Sequence, residues 1–170
     1  MKSLFVLVLA LGCTVLAADD GVWLDVPFVR QEANGCGAAS LAMILEYWDA
    51  RGLPHDARDI QRQLYDARRK GITADAMRQY LEAHDFRAFA FPGQWADLRH
   101  HVALGRPLIV ALRVGADSFH YAVVAGASDT TVSLNDPADR KLRVLSRADF
   151  EKKWTATGQW TLLAVPLPKS

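Results

Sequence analysis

Apolar side chains recur at helical spacing in the first half of the chain and predict three helices. The first begins at Cys36, after a glycine, and is closed by the Gly-Leu-Pro run at residues 52–54. Its apolar face consists of Ala38, Leu41, Leu45 and Trp48. This spacing places Cys36 at the N-terminus of an amphipathic helix.

Two further helices are expected before residue 86. The second runs from about Asp56 until Gly71 breaks it, with Ile60 and Leu64 directed inward. Its outward charges are Arg58, Arg62, Arg68 and Arg69. Thr73 is the predicted N-cap of the third helix, because its hydroxyl can accept a hydrogen bond from a free backbone N–H. The apolar residues of that helix are Met77, Tyr80 and Leu81.

The second half of the chain is richer in short apolar runs typical of strands. Strands are predicted at 86–91, 107–114, 120–125, 131–134, 142–145 and 160–165, and residues 23–28 are expected to form a short strand or an extended arm. Two helices interrupt this series. One spans 95–104 and ends at Gly105, and the other is capped by Ser146 with Asp149 and reaches Trp154.

The order of these elements, helices first and strands second, predicts an α+β fold. In this fold a helical N-terminal half packs on an antiparallel β-sheet. Clefts between two packed halves commonly bind ligands, so we expect the functional site at their junction.

The composition suits one compact domain preceded by a removable segment. The chain has 170 residues, of which 51% are hydrophobic, and 20 basic side chains balance 19 acidic ones. Because neither sign of charge dominates, the bulk charge gives no reason to expect binding to nucleic acid or to an anionic membrane surface.

The N-terminus has the pattern of an export signal. Lys2 precedes an apolar run at residues 4–12, which is shorter than the roughly 20 residues that span a bilayer. We therefore interpret residues 1–17 as a signal peptide that is cleaved after Ala17, which leaves 18–170 as the mature domain in the periplasm or outside the cell. The alternative is a lipoprotein signal, with a lipid anchor on Cys13, although residues 10–12 fit that motif imperfectly.

Cleavage after Ala17 or lipidation of Cys13 would leave Cys36 as the one free thiol of the mature domain. In an oxidising compartment a lone thiol is either deeply buried or kept for its reactivity. A thiol at a helix N-terminus faces free backbone N–H groups and the positive end of the helix dipole, and both favour the thiolate. Gly35 and Gly37 argue against deep burial and would let a substrate approach the sulfur.

Three other polar residues could act together with this thiol. Gln31 precedes the helix and could donate to an oxyanion, although a lone loop glutamine is usually solvated. His120 begins an apolar strand, where it could either act as a base or be a structural histidine of the core. Asp136 follows the next strand and could orient His120, although Asn-Asp-Pro is also a common turn sequence. The neighbouring His100 and His101 point apart on a helix, and no metal site or cofactor is predicted.

The order glutamine, cysteine-glycine, histidine and aspartate resembles that of papain-like cysteine peptidases, and more narrowly peptidase family C39, which includes bacteriocin-processing double-glycine peptidases. The matching stretches are VPFVRQEANGCGAASLAMILEYW (26–48), GRPLIVAL (105–112) and HYAVVAGASDTTVSLNDPA (120–138). The resemblance implies a papain-like fold and a peptide or protein substrate. It also implies that Cys36 is the nucleophile, His120 the base, Asp136 the orienting group and Gln31 part of the oxyanion hole.

Two features depart from the family pattern. Gly35 occupies a position that is often acidic in family members, and an exported domain would not meet cytosolic double-glycine leaders. We therefore expect the chemistry of the family on a substrate outside the cytosol, with an association with a membrane export system as a further expectation. The alternatives are a cell-wall peptide amidase and a non-catalytic module that binds peptides in a papain-like cleft.

Overall fold

The computed structural model describes residues 21–48, 56–116 and 118–168. The predicted signal peptide, Cys13 and the predicted helix end at 52–54 lie outside the described residues. The elements are β1 Val22–Trp23, α1 Cys36–Tyr47, α2 Ala57–Leu64, α3 Ala74–Glu82, β2 Phe86–Pro92, α4 Trp95–Ala103, β3 Leu108–Arg113, β4 Phe119–Ala127, β5 Thr131–Asn135, β6 Arg143–Ser146, α5 Arg147–Thr155 and β7 Trp160–Pro166.

One antiparallel sheet of seven strands organises the described part of the chain. Its order is β2-β7-β3-β4-β5-β6, and β1 pairs with β4 outside that path. Strand residues alternate between the two faces of the sheet. Ile109, Val123 and Leu162 pack with α1, α2 and α3 on one face. Val110 and Val124 pack with α4 and α5 on the other face.

This architecture confirms the α+β prediction and adds a layer to it. The N-terminal helices do pack on an antiparallel sheet, as expected. The two later helices cover the opposite face, where Leu98 of α4 and Phe150 and Trp154 of α5 are completely buried. Sequence order alone does not reveal this second layer, because a helix between two strands can cross either face of a sheet.

The second helix is shorter than predicted. It ends at Leu64, and Tyr65 is already extended, with φ −66° and ψ 125°. The carboxylate of Asp66 accepts the backbone N–H groups of Arg68 and Arg69 at 2.8 and 3.2 Å. A side chain that satisfies nearby backbone donors competes with the helix, so Arg68 and Arg69 belong to an exposed turn.

The first helix also ends earlier than predicted, at Tyr47, whereas the predicted ends at Thr73, Ser146 and Gly105 agree with the structure. The Thr73 hydroxyl accepts the backbone N–H of Ala76 at 3.2 Å, and the Ser146 hydroxyl accepts that of Asp149 at 3.1 Å. Gly105 follows α4 with φ 71°, a conformation that favours glycine. Of the predicted short strand or extended arm at 23–28, Trp23 belongs to β1, and the Leu24 N–H donates to the carbonyl of Ala125 at 2.6 Å. Within the described ranges, no helix is long and apolar enough to cross a membrane.

Candidate active site

Cys36 is the first residue of α1, and the turn before it is tightly packed. Gly35 is the N-cap residue, and its backbone N–H donates to the carbonyl of Glu32 at 3.0 Å. A side chain at Gly35 would lie 3.1 Å from that carbonyl oxygen, and one at Gly37 would lie 3.0 Å from Cβ of Ile72. Both glycines are buried, and the absence of a side chain at each makes room for neighbouring protein atoms.

His120 and Asp136 come from neighbouring strands. His120 is the second residue of β4, and Asp136 directly follows β5, which pairs with β4 in antiparallel orientation. Nε2 of His120 lies 2.7 Å from Oδ1 of Asp136, and both residues are buried. The expected juxtaposition of the two side chains is therefore present.

His120 also forms a side-chain hydrogen bond with Cys36. Since Nε2 faces Asp136, Nδ1 is the ring nitrogen that remains for the sulfur. The site thus joins a residue of the helical half to two residues of the sheet, at the junction where we expected it.

The electrostatics of these three groups favour their charged forms. Burial by itself raises the pKa of the Cys36 thiol, but hydrogen bonds from His120 and from the backbone of Tyr121 and Gly37, with the charge of His120, lower the pKa overall. Burial opposes the imidazolium, yet hydrogen bonds and charges of Asp136 and Cys36 raise the pKa of His120 to about 9. The arrangement favours a thiolate–imidazolium pair.

Asp136 is held as a carboxylate despite its burial. Desolvation raises its pKa, but the hydrogen bond and charge of His120, the Ala138 N–H and Arg143 together lower the pKa to about 2. Oδ1 accepts the Ala138 N–H at 3.1 Å, and Oδ2 accepts Nη1 of Arg143 at 2.9 Å. Asp136 is therefore charged over the whole range in which the protein would be assayed.

Gln31 lies on the loop that leads into α1, and backbone contacts tie this loop to the segment after β5. Its N–H donates to the carbonyl of Pro137 at 3.0 Å, and Nη2 of Arg30 donates to the carbonyl of Asp139 at 3.0 Å. The Gln31 amide oxygen is enclosed and lacks a hydrogen-bond partner among the described residues. The loop that carries Gln31 is thus fastened to the residue next to Asp136.

Two residues of this region escaped the sequence analysis. Asn135 is fully buried and donates through Nδ2 to the carbonyls of Val26 and Pro27 at 3.0 and 3.3 Å. Its Oδ1 accepts the Leu142 N–H at 3.0 Å. The turn-like Asn-Asp-Pro run concealed this role. Arg143, which contacts Asp136, could not be recognised from the sequence, because it lies in a strand of ordinary composition.

One cavity lies away from the four candidate residues, and the described part of the chain offers no metal cluster. A cavity of about 300 Å³ lies elsewhere, lined by Trp23, Ser133 and Val144 among others, and none of the four candidate residues lines it. Across the described ranges, no group of three or more His, Cys, Asp or Glu side chains could hold a metal ion.

Solved structures of peptidase domains share this fold. A protein from Bacillus anthracis described as a C39-like peptidase superposes with a TM-score of 0.68 at 20% identity, covering 89% of this chain and 100% of its own. The peptidase domain of Streptococcus ComA, a bifunctional ABC transporter involved in quorum sensing, gives a TM-score of 0.67 at 22% identity, with 83% and 98% covered. A double-glycine-motif protease of an AMS/PCAT transporter, in complex with its leader peptide, gives a TM-score of 0.68 at 23% identity. That match covers 85% of this chain and 94% of the protease.

Of the two sequence comparisons, the one with family models agrees with the structural matches. A comparison with curated protein sequences finds no match. The family model described as "Peptidase_C39 like family" matches residues 23–162, which include all four candidate residues. The chain therefore belongs to the Peptidase_C39 like family.

Proposed function

We propose that this protein is an exported cysteine peptidase that hydrolyses peptide bonds through a thioester acyl-enzyme. The observation that carries the proposal is the hydrogen-bonded series from Cys36 through His120 to Asp136, with the sulfur at the N-terminus of α1. A nucleophile, a base and an orienting carboxylate in contact are what nucleophilic acyl transfer requires.

In the acylation step, the Cys36 thiolate attacks the carbonyl carbon of the scissile bond, and the carbonyl electrons move to oxygen. The side-chain amide of Gln31 and the backbone N–H of Cys36 are proposed to donate to this oxyanion. The tetrahedral intermediate collapses as the C–N bond breaks, and the amine leaves with the proton from Nδ1 of His120. A thioester and a neutral imidazole remain.

In the deacylation step, Nδ1 of His120 removes a proton from water while the water oxygen attacks the thioester carbonyl. The C–S bond then breaks, which releases the carboxylic acid and restores the thiolate–imidazolium pair. Asp136 stays ionised throughout, because its role is to hold the ring and to stabilise the imidazolium.

The domain assignment and location are part of the same proposal. Residues 1–17 would direct export, and 18–170 would act in the periplasm or outside the cell. The substrate would be a peptide or protein on that side of the membrane. A peptide emerging from a membrane export system is the substrate source we favour, because related folds include the peptidase domains of transporters.

The reactivity of Cys36 towards iodoacetamide tests the proposal without a known substrate. The second-order rate constant, followed by the mass of the Cys36 peptide, should remain high near pH 6, well below the value of about 8.5 at which a free thiol ionises. His120→Ala should move the profile towards that of a free thiol, and His100→Ala is the matched control. An ordinary thiol profile in the wild type would refute the catalytic assignment.

A further inference from the structure

Arg143 holds the side of Asp136 that faces away from His120. It is the first residue of β6 and is paired with Leu134, two residues before Asp136. Its Nη1 donates to Oδ2 of Asp136 at 2.9 Å, and its Nε lies 3.5 Å from Oδ2 of Asp139. The Asp136 side chain is only 7% exposed, whereas that of Arg143 is 35% exposed.

The two oxygens of the Asp136 carboxylate therefore have different partners. Oδ1 accepts from Nε2 of His120 at 2.7 Å and from the Ala138 N–H at 3.1 Å, and Oδ2 accepts from Arg143. A hydrogen bond from a guanidinium to a carboxylate is charge-assisted and about twice as strong as a neutral one. The carboxylate is thus fixed from both sides.

We propose that Arg143 is a positioning residue that fixes the Asp136 carboxylate, and through it the orientation of His120 that presents Nδ1 to Cys36. This inference depends on the proposed function, because it assigns a residue that acts on the same Cys36–His120 pair. Arg143 contacts neither the sulfur nor the imidazole in the described interactions. It acts by holding Oδ2, which directs Oδ1 to Nε2 of His120.

The unequal surroundings of Asp136 make a sharp prediction for an amide at that position. In an Asp136→Asn variant, Arg143 attracts the amide oxygen to the Oδ2 side, which turns the NH₂ group towards Nε2 of His120. Two donors then face each other, which disfavours the imidazolium that sustains the Cys36 thiolate. The neutral Ala138 N–H favours the opposite orientation, with the amide oxygen towards His120. The N–H groups of Ala138 and His120 both compete with Arg143 for the single amide oxygen. We expect Arg143 to prevail, because its guanidinium stays charged whereas His120 can lose its proton.

The test measures iodoacetamide alkylation of Cys36 at pH 6 in the whole chain. With Asp136 present, Arg143→Met should slow alkylation about tenfold, since it removes the charge-assisted hydrogen bond that holds the carboxylate, and the partial exposure of Arg143 limits the effect. In the Asp136→Asn background, the same Arg143→Met substitution should accelerate alkylation, because Ala138 then directs the amide oxygen to His120. Arg143→Lys, which keeps the charge, should retain part of the rate in the native background.

Arg140→Met is the matched control, because Arg140 is an exposed arginine of the same connection. It should change the alkylation rate by less than about twofold. The urea midpoint of each variant separates altered reactivity from loss of folding. If Arg143→Met does not fold, Arg143→Lys replaces it in both backgrounds.

The change of sign between the two backgrounds distinguishes positioning from a merely structural role. Slower alkylation in both backgrounds, or no change in the native background, would overturn the inference about Arg143. The proposed function would still stand in that case, provided that Cys36 of the wild type is reactive. An unreactive wild-type Cys36 would overturn the proposed function itself, and the inference with it.

Discussion

Nε2 of His120 lies 2.7 Å from Oδ1 of Asp136, although the two residues are sixteen positions apart in the sequence. The contact arises because β4 and β5 pair in antiparallel orientation, so that the start of one strand lies beside the end of the other. It occupies the imidazole nitrogen that faces away from Cys36. The geometry leads to predictions about pH dependence, turnover and stability.

Cleavage of a peptide amide should decline as the pH rises through about 9, where the raised pKa of His120 lies. Above that pH the imidazolium loses the proton that the leaving amine needs, so acylation loses its general acid. The measurement is the pH dependence of kcat/KM for a peptide amide that the wild type cleaves. A p-nitrophenyl ester is the control substrate, since its leaving group needs no proton and the decline should disappear. A decline of amide cleavage already near pH 7 would contradict the raised pKa.

Gln31→Ala should lower kcat for amide or ester cleavage by about 10²–10³ with little change in KM, because an oxyanion-hole donor acts mainly in the transition state. Gln31→Glu, which keeps the size but removes the donor, should behave in the same way. Alkylation of Cys36 forms no oxyanion, so its rate should stay within about twofold. An effect on KM alone would show that Gln31 binds substrate instead.

Asn135→Ala should lower the free energy of unfolding by about 2–4 kcal/mol, because it strips hydrogen-bond partners from buried backbone groups. The groups concerned are the carbonyls of Val26 and Pro27 and the N–H of Leu142. Urea denaturation measures the change. Ser133→Ala on the same strand is the control and should cost less than about 0.5 kcal/mol. Equal free energies of unfolding for the two variants would contradict the stabilising role of the Asn135 hydrogen bonds.

Expression in a bacterial host should yield a soluble product whose intact mass matches residues 18–170, as cleavage after Ala17 requires. The protein should appear in the periplasmic or extracellular fraction. A single acyl chain anchors a protein only marginally, so firm attachment would need the several chains of a true lipoprotein. A mass that includes lipid on Cys13 would replace the soluble form with a membrane-anchored one. Cys13→Ser is the control, because cleavage after Ala17 removes residue 13. The mass of the mature protein should therefore stay the same, and only the mass of the uncleaved precursor should change.

The sequence predicted most of the secondary structure, because local signals determine it. The caps at Thr73 and Ser146 act on backbone donors three residues away, and such contacts can be read from spacing. The second helix was predicted to continue to Gly71, because no glycine or proline interrupts the chain between Leu64 and that residue. The competing signal was a single side chain, Asp66, which captures two backbone N–H groups.

The candidate residues could also be named from the sequence, but their environment could not. The family order singled out Cys36, His120, Asp136 and Gln31, and the structure brings the first three into hydrogen-bonding contact. The tight packing at the two glycines could not be predicted either: a side chain at Gly35 would meet the backbone of Glu32, and one at Gly37 would meet Ile72 from a distant part of the chain.

By itself, the sequence determined the α+β class, the helix that begins at Cys36 and the identities of the residues with candidate chemistry. These properties follow from periodicity and residue type, which are local. Only the tertiary structure decided that α4 and α5 cover the second face of the sheet, and that Arg143 holds the far oxygen of Asp136. Both depend on strand pairing, where one position of register exchanges the two faces of a strand and decides which side chains meet.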